Sequence, residues 1–370
     1  MAGGSNTLAA SVPMVMRRII LLTDGHTDHG RAKTAVNLLR YRPEEVVGIL
    51  DPTHPGQTAQ TLFGLGGSIP VADTFGKLPE ADTTLVGIAP SGGQLSLSLR
   101  RQILDAIRLR HTIVSGLHQF LSEDPEIRET AAAFGAVLQD VRRSQERDVA
   151  HRQGLQEACL RIHTVGHDCN VGKMLVSVEL ARALRRRRCD AKFVATGQTG
   201  IMIEGDGCAV DAVVSDFVNG AAERLVLARQ HHRILVVEGQ GCLSHPRYSA
   251  VTLGLLHGCL PDGLILCYEM GRTHVAGMPQ IPLLTLREYQ RIYESMACLA
   301  HPCRVLGIAM NSRLQSAQAA AEERRRLRGE LGLPVCDVIR DGTDELVEAV
   351  FSRAREVGKT SSIEPILRAG

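Results

Sequence analysis

The amino-acid sequence predicts an α/β protein of two domains, each built on a parallel sheet with helices on both faces. Three observations carry that expectation. Short apolar runs rich in β-branched residues alternate with helical periodicity. The alternation breaks at one polar stretch and then restarts. A glycine-rich turn, "GHDCNVGK" at 166–173, lies between a strand-like run and a helix-like one. At 370 residues, 44% of them hydrophobic, the chain is long enough for two ordinary cores.

Taken in order, "RRIILLT" (17–23) reads as a buried strand, followed by a glycine-containing turn and a helix through "AKTAVNLLRY". "EEVVGILD", "TTLVGIAP" and "HTIVSGL" read as further strands, each ended by Gly, Pro or Asp, with helices such as "LSLSLRRQILDAIRLR" between them. Parallel strands of this kind are covered on both faces, and their ligand sites lie beyond the carboxyl ends. The polar run "DVRRSQERDVAHRQGLQEA" (140–158) places a domain boundary near residue 150. Strands then resume with "RIHTVG", "AKFVATG", "RILVVEG", "DGLILCYE", "CRVLGIAM" and "PVCDVI". Between them, helices are expected in "GKMLVSVELARALRRRR", "DAVVSDFVNGAAERLVLARQ" and "AEERRRLRGELG". The organisation expected is a flexible tail over 1–14, one domain over 15–150 and a second over 151–370.

Composition excludes several classes of function. A formal charge of +2 and 3% aromatics without Trp give no basis for a nucleic-acid or membrane partner. The "RRRR" run at 185–188 closes a predicted helix, where cations favour the dipole. All 10 cysteines follow residue 158, with no C-x-x-C pair and no Cys/His set at zinc spacing, so no metal is expected. No signal-like or membrane-spanning run is present, which makes a reducing cytoplasm the expected setting.

The strongest chemical signal is the loop formed by Gly166, His167, Asp168, Cys169, Asn170, Val171, Gly172, Lys173 and Met174. Its G-x-x-x-x-G-K spacing curls backbone N–H groups inward at a helix N-terminus and adds the Lys173 charge, a cradle for phosphates. The hydroxyl residue that ordinarily follows the lysine to hold Mg²⁺ is replaced by Met174, a thioether and a poor ligand for a hard cation. A metal here would need carboxylates, and Glu238, Asp168 and Asp216 are the candidates. Glu238 ends a strand in "VVEGQG" and is expected to point into the site or to cap the next helix. His245 and Arg247 follow in a loop. Gln198, Thr199 and Gly200 offer donors after another strand. Asp211 and Asp216 fall in one predicted helix, and Asp216, flanked by apolar residues, would be costly to bury unpaired. Arg272, in "GRTH", presents a fork suited to carboxylates or phosphates unless it is simply a surface residue. Cys169, near a helix start, is expected to have a lowered thiol pKa, and a covalent acyl-cysteine is conceivable. In the first half, the turns at "TDGHTDHGRAKT" and "GIAPSGGQL" suggest a second cleft lined by Asp24, Lys33 and Asp51.

The ordered set "GHDCNVGKM", "ATGQTGIMIEGDG", "DAVVSDFVNGAAE", "EGQGCLSHPRYSAVTLGLLHG" and "GRTH" resembles the bacterial family that includes the D-glutamate N-acetyltransferase of D-amino-acid catabolism. The similarity covers nearly the whole chain, including "DGHTDHGRAKTAVNLLRY" and "GILDPTHPGQTA". It implies a Rossmann-like N-terminal domain and a P-loop domain similar to dethiobiotin synthetase, whose loop reads G-T-D-x-x-V-G-K. It also implies acetyl-CoA as cofactor and an amino acid as the small-molecule substrate of a homo-oligomer. Met after the lysine is a family trait; Leu175 and Val176 stand where the resemblance implies Thr-Thr. Under this reading the loop and Lys173 hold the coenzyme, the loop backbone or Lys173 also faces the thioester carbonyl, and Glu238 first, Asp216 or Asp168 second, accepts the substrate's proton. Arg247, Arg272, Lys33 and His245 bind the substrate. The alternatives are an ATP/Mg²⁺-dependent enzyme of the dethiobiotin-synthetase type and a nucleotide-binding regulator.

Overall fold

The computed structural model describes residues 17–28, 30–89 and 95–366. The expected N-terminal tail and residues 90–94 of the "GIAPSGGQL" turn lie outside them. The chain forms two compact units that divide between Val141 and Arg142.

The first unit contains β1 (Ile19–Leu22), α1 (Lys33–Tyr41), β2 (Val46–Leu50), α2 (Ala59–Phe63), β3 (Val71–Ala72), β4 (Thr83–Val86), α3 (Leu97–Arg108), β5 (Thr112–Ser115), α4 (Pro125–Phe134) and β6 (Leu138–Asp140). Its strands are all parallel, in the order β3-β2-β1-β4-β5-β6. That is the doubly wound arrangement, reversing between β1 and β4. Strands β3 and β6 were not expected from sequence; at two and three residues they are too short to show a period.

The second unit contains β7 (Leu160–Gly166), α5 (Lys173–Arg186), β8 (Ala191–Val194), α6 (Gln198–Glu204), α7 (Val218–Leu227), β9 (Ile234–Val237), α8 (Ser249–Cys259), β10 (Gly263–Glu269), β11 (His274–Val275), β12 (Met278–Pro282), α9 (Leu286–Cys298), β13 (Arg304–Asn311), α10 (Ala317–Leu331), β14 (Val335–Cys336) and α11 (Asp344–Glu356). Six of its strands form a second parallel sheet, β14-β13-β10-β7-β9-β8, and β11 pairs with β12 as an antiparallel hairpin. Strands β7 and β10 are buried along their whole length, as expected for the centre of a covered sheet. No helix among the described residues is long and apolar enough to cross a membrane.

One expected helix is shorter than its pattern. Of the 211–230 stretch only Val218–Leu227 is α-helical; Val210–Ala212 and Ser215–Phe217 are single 3-10 turns. Asp211 and Asp216 therefore lie on separate turns. Asp211 pairs with Arg142, and Asp216 is exposed, which removes the burial cost expected for it.

At the amino ends of β7 and β10, away from the carboxyl edge, a charged knot ties the last turns of the chain to the sheet. Asp262 is 1% exposed and accepts from Lys359 Nζ at 2.8 and 2.9 Å, from the Arg161 backbone N–H at 2.8 Å and from His301 at 2.9 Å. Replacing Lys359 with Met leaves that carboxylate short of its main cation. The variant is expected to lose about 2–3 kcal/mol, read as a lower urea midpoint with an unchanged slope.

Candidate functional site

The carboxyl edge of the second sheet gathers four chain turns: the loop after β7, and the segments after β8, β9 and β10. The first is the phosphate-cradle candidate. Its bend is set by Asn170 at φ +57° and Gly172 at φ +107°, both left-handed. Gly166 has no room for a side chain, since a Cβ would meet Val171 Cγ2 at 2.9 Å and Lys173 Nζ at 3.1 Å. Helix α5 begins at Lys173 with no side chain capping its first N–H groups. Those groups and the positive end of the dipole are what an anion would meet. The Lys173 ammonium is buried within the bend, donating to the Asp168 carbonyl at 2.8 Å.

The underside of the loop is held from three directions. Tyr293 Oη, fully buried on α9, donates to the Gly166 carbonyl at 2.7 Å and accepts from the Leu243 N–H at 3.3 Å. Gly239 runs so close to β7 that a Cβ would lie 1.8 Å from the Thr164 carbonyl oxygen. The Asp168 carboxylate, with no exposed surface, accepts from the Cys169 N–H at 2.7 Å, the Ala276 N–H at 2.7 Å and Arg272 Nη1 at 2.9 Å. The same Arg272 nitrogen donates to the Cys169 carbonyl at 2.7 Å, and its other nitrogens reach Glu269 Oε1 at 3.1 and 3.3 Å. Arg272 is thus committed to two protein carboxylates and a loop carbonyl, and does not present an open fork to a substrate.

Glu238 stands at the carboxyl end of β9, as expected, and is 4% exposed. Its Oε2 accepts from the Thr196 and Gly197 N–H groups at 2.9 and 3.1 Å, so it anchors the turn that enters α6 and does not cap the helix following it in sequence. Gln198 and Thr199 open α6 beside it, both buried, and a Cβ at Gly200 would lie 2.4 Å from Glu238 Oε2. His245 is 2% exposed; its Nδ1 accepts from the Arg247 N–H at 3.2 Å and its Nε2 faces Asp168 Oδ1 at 3.8 Å. Arg247 is exposed. Lys33 opens α1 in the first unit, and Met174 follows Lys173 half-buried in α5.

Asp168, Cys169 and His245 bring one ligand atom each within 4.8 Å of one another, a grouping that no local spacing could reveal. The chemistry of the trio is nonetheless that of a donor site. Burial lowers the His245 pKa, so the ring is neutral, and with Nδ1 accepting, the proton sits on Nε2. Asp168 is already compensated by Arg272. Cys169 departs from expectation: burial pushes its thiol up to about 11, outweighing the nearby Lys173 charge, and this disfavours an acyl-cysteine.

Residues 147–347 match the P-loop domain of the DUF1611 family, and residues 52–144 match that family's Rossmann-like N-terminal domain. The D-glutamate N-acetyltransferase of Tritonibacter scottomollicae is 33% identical, over 91% of this chain and 99% of that protein. The D-glutamate N-acetyltransferase of a Pseudoalteromonas species is 36% identical over 89% and 97%. A crystal structure of a DUF1611 family protein from Anabaena variabilis superposes with a TM-score of 0.84 at 35% identity, over 91% and 99% of the two chains. This chain belongs to the DUF1611 family. The two relatives named D-glutamate N-acetyltransferase, each aligned over about nine-tenths of this chain, mark it as an N-acetyltransferase.

In this DUF1611 protein two tyrosines at i and i+4, Tyr289 and Tyr293, complete the floor of the site, and sequence reasoning passed them over. The signal was present: Thr285 and Glu288 form a reciprocal capping box that starts α9. Glu269 was missed as well, although "CYE" ends its strand on a carboxylate just as "VVE" does.

Two histidines of the site are buried neutral. Burial lowers His163 to about 4 and His167 to about 3, the latter helped by the Arg272 charge. Both folded values lie below that of the unfolded chain, so the unfolded state takes up protons first as pH falls. Stability is full above about pH 6.5 and is lost on acidification toward the folded values. Between pH 7 and pH 5 the DUF1611 protein is expected to lose about 2 kcal/mol per histidine, measured by urea unfolding at both pH values. A flat profile would contradict the neutral burial of the pair.

Proposed function

We propose that this protein transfers an acetyl group from acetyl-CoA to the amine of an acidic amino acid, with D-glutamate the first candidate. The observation that carries the reading is a phosphate loop lacking the metal-binding hydroxyl, in a chain whose full-length relatives are named D-glutamate N-acetyltransferases. Coenzyme A bears a pyrophosphate and a 3′-phosphate that need gripping and no cleavage. The uncapped N-terminus of α5 and the Lys173 ammonium supply fixed positive charge without an exchangeable ion.

In this reading His245 Nε2–H, beside the loop, donates to the thioester carbonyl as negative charge develops on its oxygen. Glu238 holds the α6 turn so that Gln198 and Thr199 line the donor. Arg247, exposed at the mouth of the segment after β9, is the side chain free to meet a substrate carboxylate, while Arg272 sets the loop. The reading fits a cytoplasmic enzyme acting on a small molecule.

Incubation with acetyl-CoA and a panel of D- and L-amino acids, followed by thiol detection, tests it. Free thiol is expected only with an amine present, fastest with D-glutamate. ADP formation from MgATP, with no thiol release, would replace the reading with a carboxylate-activating enzyme. Lys173→Ala is expected to weaken coenzyme A binding about 10- to 100-fold, followed by calorimetry, since a charge-assisted contact to phosphate is lost.

A further inference from the structure

The acyl-transfer reading requires a group that takes a proton from the substrate ammonium, and the carboxylates chosen from sequence are poorly placed to do so. Both Asp168 oxygens accept hydrogen bonds from within the protein, Glu238 Oε2 accepts two, and Asp216 is exposed on a 3-10 turn. Glu269 differs. It closes β10, the strand beside β7, two residues beyond the point where Cys267 pairs with Gly166 of the phosphate loop. It is 9% exposed, and its backbone N–H donates to His167 Nε2 inside that loop at 3.1 Å. Oε1 is held by Arg272, the residue that also grips Cys169 and Asp168. Oε2 is buried and has no hydrogen-bond partner among the described residues.

An unpartnered buried carboxylate oxygen carries the full cost of its lost hydration, so folds keep few of them. Arg313 Nη2 lies 3.9 Å from Oε2, beyond hydrogen-bond reach, on a side chain 48% exposed to solvent. A half-exposed arginine for which this long contact is the one side-chain contact among the described residues can swing aside, and an incoming ammonium would then give Oε2 the donor it lacks. Arg272 meanwhile keeps the other oxygen in place.

We propose that Glu269 is the catalytic base: it binds the substrate ammonium through Oε2 and accepts a proton from it. The freed amine then attacks the carbonyl carbon of the acyl thioester. As the C–N bond forms and the C–S bond breaks, the nitrogen gives a second proton to the departing thiolate. The products are the amide and the free thiol, and Glu269 returns its proton to water. Among the described residues, Glu269 contacts Arg272 from the segment after β10, Arg313 from the segment after β13 and His167 from the loop, and it shares Arg272 with the Asp168 carboxylate.

This inference rests on acyl transfer from acetyl-CoA, and one experiment separates the two. Wild type, Glu269→Gln and Glu269→Asp are assayed for thiol release from acetyl-CoA with D-glutamate and with hydroxylamine, corrected for the uncatalysed reaction. Coenzyme A affinity and melting temperature are measured alongside. Glu269→Gln keeps an acceptor for Arg272 and is expected to bind coenzyme A within about threefold of wild type while losing at least about 100-fold in kcat with D-glutamate. Hydroxylamine is already a free base at neutral pH, so the loss with it is expected to be at least tenfold smaller. A purely structural role for Glu269 would depress both substrates equally. If the Gln variant does not fold, Glu269→Asp keeps the charge, retracts it by one methylene, and is expected to show the same split. Glu269→Gln activity within threefold of wild type, or equal losses for both amines, overturns the proposal and leaves acyl transfer standing. A wild type that releases no thiol with any amine overturns both.

Discussion

The buried carboxylate of Asp168 is the point from which the site takes its shape. It sits at the third position of the loop with no exposed surface, and ionised carboxylates are kept in such places only when donors surround them. Two backbone N–H groups and Arg272 provide those donors. Because Arg272 also reaches Cys169 and Glu269, the loop, the end of β10 and the turn of the β11–β12 hairpin form one hydrogen-bonded body. A loop fixed in this way does not have to be ordered by its ligand. Fixed donors cost no reorganisation when charge develops, which is the usual source of catalytic electrostatics.

Most of the fold was legible because covered parallel strands leave a strong mark. Each long strand of either sheet appears in the sequence as an apolar run ended by a breaker, and the loop at 166–173 announces itself by spacing. What was illegible depended on contacts between distant segments. Arg272 looks like a surface arginine or a substrate clamp until Asp168, 104 residues earlier, is seen beside it. The Asp168, Cys169 and His245 grouping spans two loops in the same way. Cys169 was misjudged because proximity to a helix start suggests a thiolate, whereas burial controls its thiol. Asp216 has apolar neighbours that suggest a helix face, while the chain there forms a 3-10 turn on which the side chain is exposed.

The first unit shows why sheet order alone does not assign a ligand. Its strands run in the doubly wound order, and Asp51 directly follows β2, where such folds often present an acid to a ribose. Here that acid is saturated from within: Oδ2 accepts from Thr23 Oγ1 and the Gly25 N–H, and Oδ1 from the Thr53 N–H, Thr53 Oγ1 and His54 Nδ1. Asp24, left-handed at φ +47°, is likewise bound to Ser96 and Gln102 of the α3 start and body. Both acids predicted to line a second cleft therefore brace their own domain, and the chemistry has to be argued from the second unit.

Met174 has the same physical logic. A hydroxyl after the loop lysine earns its place by holding Mg²⁺ against a phosphate that is to be cleaved; a thioether cannot do so. Leu175, half-buried, and Val176, 4% exposed, continue the apolar side of α5 where hydroxyl residues were expected, so this turn of the helix contributes packing and not polar contacts. What remains for an anion is the part of the loop that needs no side-chain oxygen: backbone N–H groups, the helix dipole and a lysine already folded into the bend. Under the proposed acetyl-CoA reading, such a site holds phosphates as a handle. On that reading the reacting atoms are served by His245 and Glu269 at the carboxyl edge of the sheet, while Glu238 holds the α6 turn beside them.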